Sequence, residues 1–295
     1  MTDAQAGEFR SHSNDGRSGP DGHEPARRQL RFGVMGDGTC YPAWIADCIR
    51  SLCALDGVQL SALIVDARQA RPVAPWRSRL RTLREVFLGR NGLWRLFYRF
   101  FVAPRTWAMQ TVDLNAEFAD VPRLEVETIR KGKVSNYFSA ADRKAVREMD
   151  LDFVLLFGFG IVRGKVLDIP RFGIWSFHHD DPENYRGGPP CFWPIYRGEK
   201  TNGAMLQRIT NRIDGGVVLR SANFPICDTS YVKNRDQTFV RSAQWPAEVC
   251  EQIMEGNTAA FDSPPLNSEA PMNTIPTNTQ MLTFAIRLLK NTTKQ

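Results

Sequence analysis

The chain has 295 residues and only four histidines. His12 and His23 lie in a polar stretch, whereas His178 and His179 are adjacent. Proton transfer by an imidazole near neutral pH therefore has one place to occur. That place is Ser176-Phe177-His178-His179-Asp180-Asp181-Pro182-Glu183-Asn184-Tyr185-Arg186, followed by Gly187-Gly188-Pro189-Pro190. Further along, Asp214 sits in its own glycine turn, Arg212-Ile213-Asp214-Gly215-Gly216. A histidine oriented by a carboxylate is the minimal equipment for general acid–base work. Bland readings stand beside this one. His178 could cap a strand, and Asp214 could be an ordinary Asp-Gly hairpin turn. His179 reads as a core residue, because neighbours on a strand point to opposite faces. A metal site from His178, His179, Asp180 and Asp181 is disfavoured, since ligands must converge on one point and four consecutive residues rarely do. No metal is expected.

These side chains need a scaffold, and the hydrophobic pattern supplies one. Leu30 to Met35 is an apolar run ending at Gly36-Asp37-Gly38, which reads as a tight turn rather than a dinucleotide loop, for want of the third glycine. Trp44, Ile45, Cys48, Ile49, Leu52 and Cys53 then recur at helical spacing, and Val58 to Val65 is a second strand ending at Asp66. Strand, turn, helix, strand predicts a βαβ unit and a parallel sheet. Alternation resumes with strands at 124–129, 152–157, 174–177, 204–209 and 217–224, and helices at 139–149 and 237–254. The expectation is a doubly wound, mostly parallel α/β domain over residues 30–256. It is preceded by a polar tail at 1–29 and followed by a linker and short helix at 257–295. The strand at 174–177 delivers His178 at its carboxyl end, where ligands bind in open α/β sheets.

Residues 67–111 interrupt the pattern. Leu93, Leu96, Phe97, Phe100 and Phe101 fall on one face of a helix, and Leu80, Leu83, Val86 and Phe87 make a similar stripe. Residues 68–105 hold ten arginines and one acid, Glu85, a charge of +9 where the whole chain carries +6. A helix with an aromatic stripe and flanking arginines usually packs on its own domain; the sharper reading of 76–104 is a surface for a membrane, a lipid-linked substrate or a protein partner. Charge alone is weak evidence for nucleic acid. The six cysteines form no CxxC pair and no secretory or spanning segment is evident, so the expected location is cytoplasmic, peripheral to the inner membrane face if the basic segment engages lipid.

Three motifs together resemble the folate-dependent formyltransferases. Phe157-Gly158-Phe159-Gly160-Ile161-Val162, then Val166-Leu167-Asp168-Ile169-Pro170, is similar to the family's strand and loop at the folate site. His178, followed seven residues later by Tyr185-Arg186-Gly187, resembles its histidine loop, and Arg212-Ile213-Asp214-Gly215-Gly216 its catalytic Asp turn. The resemblance implies the family's Rossmann-like fold, 10-formyl-tetrahydrofolate as formyl donor, and a primary amine as acceptor. It gives His178 and Asp214 catalytic roles and places Phe157, Gly160 and Ile161 against the donor. His179, Asp180, Tyr185 and Arg186 fall in the substrate loop. Ser176 stands where the family has asparagine, leaving a shorter oxyanion donor. A small or lipid-linked amine such as an amino sugar is favoured over tRNA, because few residues follow the sheet. Two other readings remain: a hydrolase using the same His and Asp on water, and a catalytically impaired docking protein.

Overall fold

The computed structural model describes residues 29–68, 89–132, 134–213 and 215–292. The stripe at 80–87 and Asp214 lie outside the described residues. Seven strands form the central sheet: β1 (Leu30–Gly36), β2 (Val58–Asp66), β3 (Arg123–Val126), β4 (Phe153–Leu156), β5 (Ile174–His178), β6 (Thr201–Arg208) and β7 (Val217–Pro225). Their order is β7-β6-β5-β4-β1-β2-β3. The five strands from β5 to β3 are parallel, and β6 and β7 are antiparallel additions beyond β5. The order reverses between β1 and β4, so a crevice opens at their carboxyl ends.

Two-residue alternation decides what each strand gives to each face. Phe32, Val34, Leu63, Val65, Phe153, Leu155 and Trp175 face one core, with helices α1 (Ala43–Cys53), α5 (Tyr231–Ser242) and α6 (Trp245–Met254) packed over it. Met35, Ala62, Ile64, Val154 and Ile174 face the other, under α3 (Ala140–Glu148). Phe32 stacks on Phe153 at 5.5 Å and Phe153 on Trp175 at 4.0 Å, an aromatic ladder running across three strands. The start of α3 is fixed by a capping box: the Asp142 backbone N–H donates to Ser139 Oγ, and the Asp142 carboxylate accepts from the Ser139 backbone N–H and hydroxyl. Ser139→Ala should cost about 1 kcal/mol, seen as a few degrees in a thermal melt.

The chain departs from its sequence reading in four places. The strand expected over 124–129 ends at Val126, and Ile129–Lys131 pairs instead with Ser135–Tyr137 in a separate small sheet. The helix expected over 237–254 is two helices, α5 and α6. Ser230 caps the first, whose Lys233 N–H it accepts, and Pro246 opens the second at a position where the missing N–H costs nothing. The stretch 257–280 is not only linker: it holds a short helical turn at Ala259–Asp262 and a strand, Met272–Asn273, that pairs with Arg186–Gly187. The aromatic stripe at 93–101 is not one buried face. An α-helix, α2 (Gly92–Phe97), widens into a π-helical turn at Tyr98–Val102, closed by the Ala103 N–H on the Tyr98 carbonyl at 2.8 Å. The extra residue rotates Phe100 and Phe101 outward, 62% and 56% exposed, while Trp94 and Val102 take the buried places. They join a third core with Tyr185, Phe192 and Tyr231, completed by Met281 and Phe284 of α7 (Asn278–Thr292) and by α4 (Phe192–Arg197). Among the described residues, no helix is long and apolar enough to cross a membrane. The six cysteines are free thiols.

Candidate functional site

β5 sorts its own side chains. Ile174, Ser176 and His178 alternate onto one face, while Trp175, Phe177 and, just past the strand, His179 fall on the other. Ser176 opens into a cavity of about 120 Å³ whose walls include Leu156, Gly160, Ile161, Val162 and Ile209. Thr210, Asn211, Arg212 and Ile213 close its far side. His178 is half-buried, and its Nε2 lies 2.9 Å from the Tyr185 carbonyl oxygen. A carbonyl can only accept, so Nε2 carries a hydrogen and the ring's orientation is set.

The turn that carries position 214 is held from both sides. Arg186 Nη2 donates to the Ile213 carbonyl at 3.2 Å. Thr210 Oγ1 donates to the Gly215 carbonyl at 2.8 Å, and the Gly216 N–H donates to Gln207 Oε1 at 3.0 Å. Gln207 is the register partner of Ser176 on β6. The flanks of 214 are thus tied to the strands beside Ser176.

The intervening loop is braced rather than open. Tyr185 donates its hydroxyl to Glu199 at 3.0 Å, Arg197 lies over its ring, and burial together with Glu199 raises its phenol above the ordinary range. Arg186 also donates to the Ala270 carbonyl at 3.4 Å. At Gly187 the backbone has φ 76°, and a Cβ there would collide with the Asn273 carbonyl, so only glycine lets Arg186–Gly187 pair with Met272–Asn273. His179 and Asp180 turn inward. His179 stacks on Phe239 at 3.7 Å and on Phe177 at 5.6 Å, with Nε2 3.1 Å from Ser242 Oγ. Burial, and then the nearby His178 and Arg235, hold its imidazole well below the ordinary histidine range. Asp180 is 1% exposed, and its Oδ1 accepts the Cys191 N–H at 2.9 Å. Burial pushes its carboxyl well above the usual carboxylate range. Both residues therefore sit in the core and not in the loop's solvent-facing surface.

Of the three residues expected against a donor, Gly160 and Ile161 line the Ser176 cavity. Phe157 does not. Its ring packs edge-on to Trp44 at 5.6 Å and stacks on Phe177 at 6.2 Å, on the opposite face of the sheet. Phe159 takes its place in the loop, with φ 64°, a left-handed backbone uncommon for an aromatic residue. Its ring stacks on Phe138 at 5.7 Å, and its carbonyl accepts from Asn136 Nδ2. Asn136 Oδ1 in turn accepts from Arg68 at 3.2 Å, and Arg68 pairs with buried Asp66 at 2.6 Å. Burial opposes the charge on Asp66, but hydrogen bonds from Arg68 and Thr128 outweigh it and keep the carboxyl below the usual range. Asp66, Arg68, Arg130 and Asn136 line a second cavity of about 610 Å³ on the far side of Gly160 and Ile161. Sequence reading missed this chain of side chains; the only signal was Asp66 at the end of β2.

The crevice between β1 and β4 is closely packed at its base, where a Cβ on Gly158 would meet Asp37 and Gly36. Among the described residues, no three His, Cys, Asp or Glu side chains converge as metal ligands would.

Comparison with known proteins adds relatives to this geometry. The chain is 26% identical over 177 residues to the methionyl-tRNA formyltransferase of Halalkalibacterium halodurans, covering 59% of this chain and 49% of that protein. It is 31% identical over 113 residues to that of Macrococcus caseolyticus, covering 38% and 36%. Glycinamide ribonucleotide transformylase 1 from Symbiobacterium toebii superposes with a TM-score of 0.51 at 18% identity, over 81% of this chain and 94% of that one. The chain is similar in sequence to formyltransferases, and its fold is that of the transformylase. No family model matches it. The chain spans less than half the length of the curated relatives named here. Within the formyltransferase fold, Ser176 and His178 stand at the carboxyl end of a sheet strand beside the switch point.

Proposed function

We propose that this chain transfers a formyl group from 10-formyl-tetrahydrofolate to a primary amine on a small or lipid-linked molecule such as an amino sugar. One observation carries the reading. Ser176 opens into a cavity that reaches Ile213 at the start of the 213–216 turn, and His178 lies on the same face of β5. The cavity's chemistry suits the donor's flat heteroaromatic ring. Leu156, Ile161, Val162 and Ile209 give apolar walls, and Thr210 to Ile213 give polar backbone at one end. The donor would supply the formyl carbon. The amine nitrogen forms the new bond to that carbon, the carbon's bond to folate nitrogen breaks, and one proton passes from the amine to the departing nitrogen.

In this reading His178 moves that proton, its ring aimed by the Tyr185 carbonyl. Ser176 donates a hydrogen bond to the formyl oxygen as negative charge grows on it. Asp214 supports the imidazole. Arg186, Gln207 and Thr210 hold the turn in place. Tyr185 and Arg186 act through structure and touch no substrate.

Calorimetric titration with a stable analogue of the formyl donor tests this. Saturable micromolar binding is expected for the wild type. It should be lost on Ile161→Arg, which fills the cavity while leaving the buried cores untouched. Absence of binding by the folded wild type would overturn the assignment. Product formed without any amine acceptor would replace transfer by hydrolysis.

A further inference from the structure

The outer face of α2, the π turn and α7 has no role in the site. Its composition is unusual. Residues 89–112 and 270–295 contain no aspartate or glutamate, yet they hold Arg90, Arg95, Arg99, Arg105, Arg287, Lys290 and Lys294. The structure brings residues 89–112 and 270–292 together. Their helices begin at a shared junction: Asn278 Oδ1 accepts the Leu93 N–H at 2.9 Å, and the Asn278 N–H donates to the Arg90 carbonyl at 2.8 Å. They then run side by side, with Phe97 of α2 against Phe284 of α7.

Asn278, Leu282, Ala285 and Leu289 lie at i, i+4, i+7 and i+11, one stripe of α7. Asn278, at the head of that stripe, touches α2, and Ile286 borders the stripe. Met281 and Phe284 already anchor the helix in the core, so this stripe is surplus to folding. Leu282, Ile286 and Leu289 are 57%, 53% and 67% exposed. Across the junction Phe101 stacks on Phe97 and is exposed with Phe100. Arg90, Arg95, Arg99 and Arg105 are all exposed around them.

We propose that the paired outer faces of α2 and α7 dock on an anionic lipid bilayer. Phe100, Phe101, Leu282, Ile286 and Leu289 enter the boundary between headgroups and acyl chains, and the surrounding cations meet the phosphates. The charge decides the occupant. A second copy seated symmetrically would press arginine against arginine across segments that themselves carry no acid. A lipid surface supplies the anions and the apolar depth at once. The inference rests on this face alone and does not depend on the catalytic reading.

Vesicle flotation with the full chain tests it, comparing phosphatidylcholine alone with phosphatidylcholine containing phosphatidylglycerol. Binding should require phosphatidylglycerol and weaken with salt. Arg99→Glu should weaken partitioning on the order of tenfold. The double variant Ile286→Glu, Leu289→Glu, checked for folding by its thermal melt, should lose on the order of a hundredfold. No binding by the folded wild type overturns the proposal. So does binding that the double variant retains. So does a wild-type dimer that the double variant dissolves, which would assign the face to a second copy.

Discussion

Turnover should fall about a hundred- to ten-thousand-fold when His178 is replaced by alanine, with little change in the melting temperature. The two halves of that expectation have separate grounds. His178 is half-buried and belongs to none of the three apolar cores, so its removal leaves no large cavity. Its hydrogen bond to the Tyr185 carbonyl lies at a loop already braced by Glu199 and Arg197. In the proposed reaction a side chain must take and return a proton, which alanine cannot do. His178→Gln sharpens the result. Its amide can still donate to the Tyr185 carbonyl but cannot titrate, so it should be as slow as alanine if proton transfer matters. Steady-state kinetics on the purified variants decides this. Turnover within a few-fold of wild type in either variant would remove His178 from the chemistry.

The neighbouring histidine should leave its mark on stability instead. His179 stays neutral in the folded chain, because burial and the adjacent His178 and Arg235 hold its pKa well below the ordinary 6.5. The unfolded chain takes up a proton below that value and the folded chain does not. Stability is therefore full above about pH 6.5 and falls on acidification, by about 1.4 kcal/mol per pH unit in that window. Asp180 has the opposite sign. Its carboxyl stays protonated in the fold above the usual carboxylate range, so its contribution is lost as pH rises toward its raised value. In mildly acid solution the two partly cancel. His179→Phe keeps a ring against Phe177 and Phe239 but removes the first term. Relative to wild type, the variant should gain about 2 kcal/mol on going from pH 6.5 to pH 5. Denaturant titrations at several pH values measure this, and parallel pH profiles would contradict it.

Much of the fold was legible because its strands are short apolar runs bounded by glycine or aspartate, with successive side chains on opposite faces. β1, β2, β4 and β5 all lie where the pattern placed them, and the alternation that separates Ser176 and His178 from Phe177 and His179 followed from the same rule. What escaped was structure made by distant partners. Arg186–Gly187 pairs with Met272–Asn273 across a stretch that reads as linker, and no local signal announces such a pairing. The π turn at Tyr98–Val102 shifts Phe100 and Phe101 by one residue, a change invisible to a regular helical wheel. Phe157 and Phe159 are a further lesson. Two residues apart they would share a strand face, but the strand ends at Leu156, and the left-handed backbone at Phe159 breaks the alternation. The Asp66–Arg68–Asn136 relay was missed because its members are far apart in the chain and each is ordinary alone.

The hydrogen bond between His178 and the Tyr185 carbonyl has a mechanical consequence. Ser176 is carried by the sheet, a stiff frame whose strands hold one another. The imidazole is steered instead from a loop whose tyrosine shares its core with Trp94, Phe192 and Tyr231, the layer that also supports α2 and α7. The two halves of the site therefore hang from different chassis. The loop that aims the imidazole is thus seated in the same packed layer as the inner sides of the surface helices.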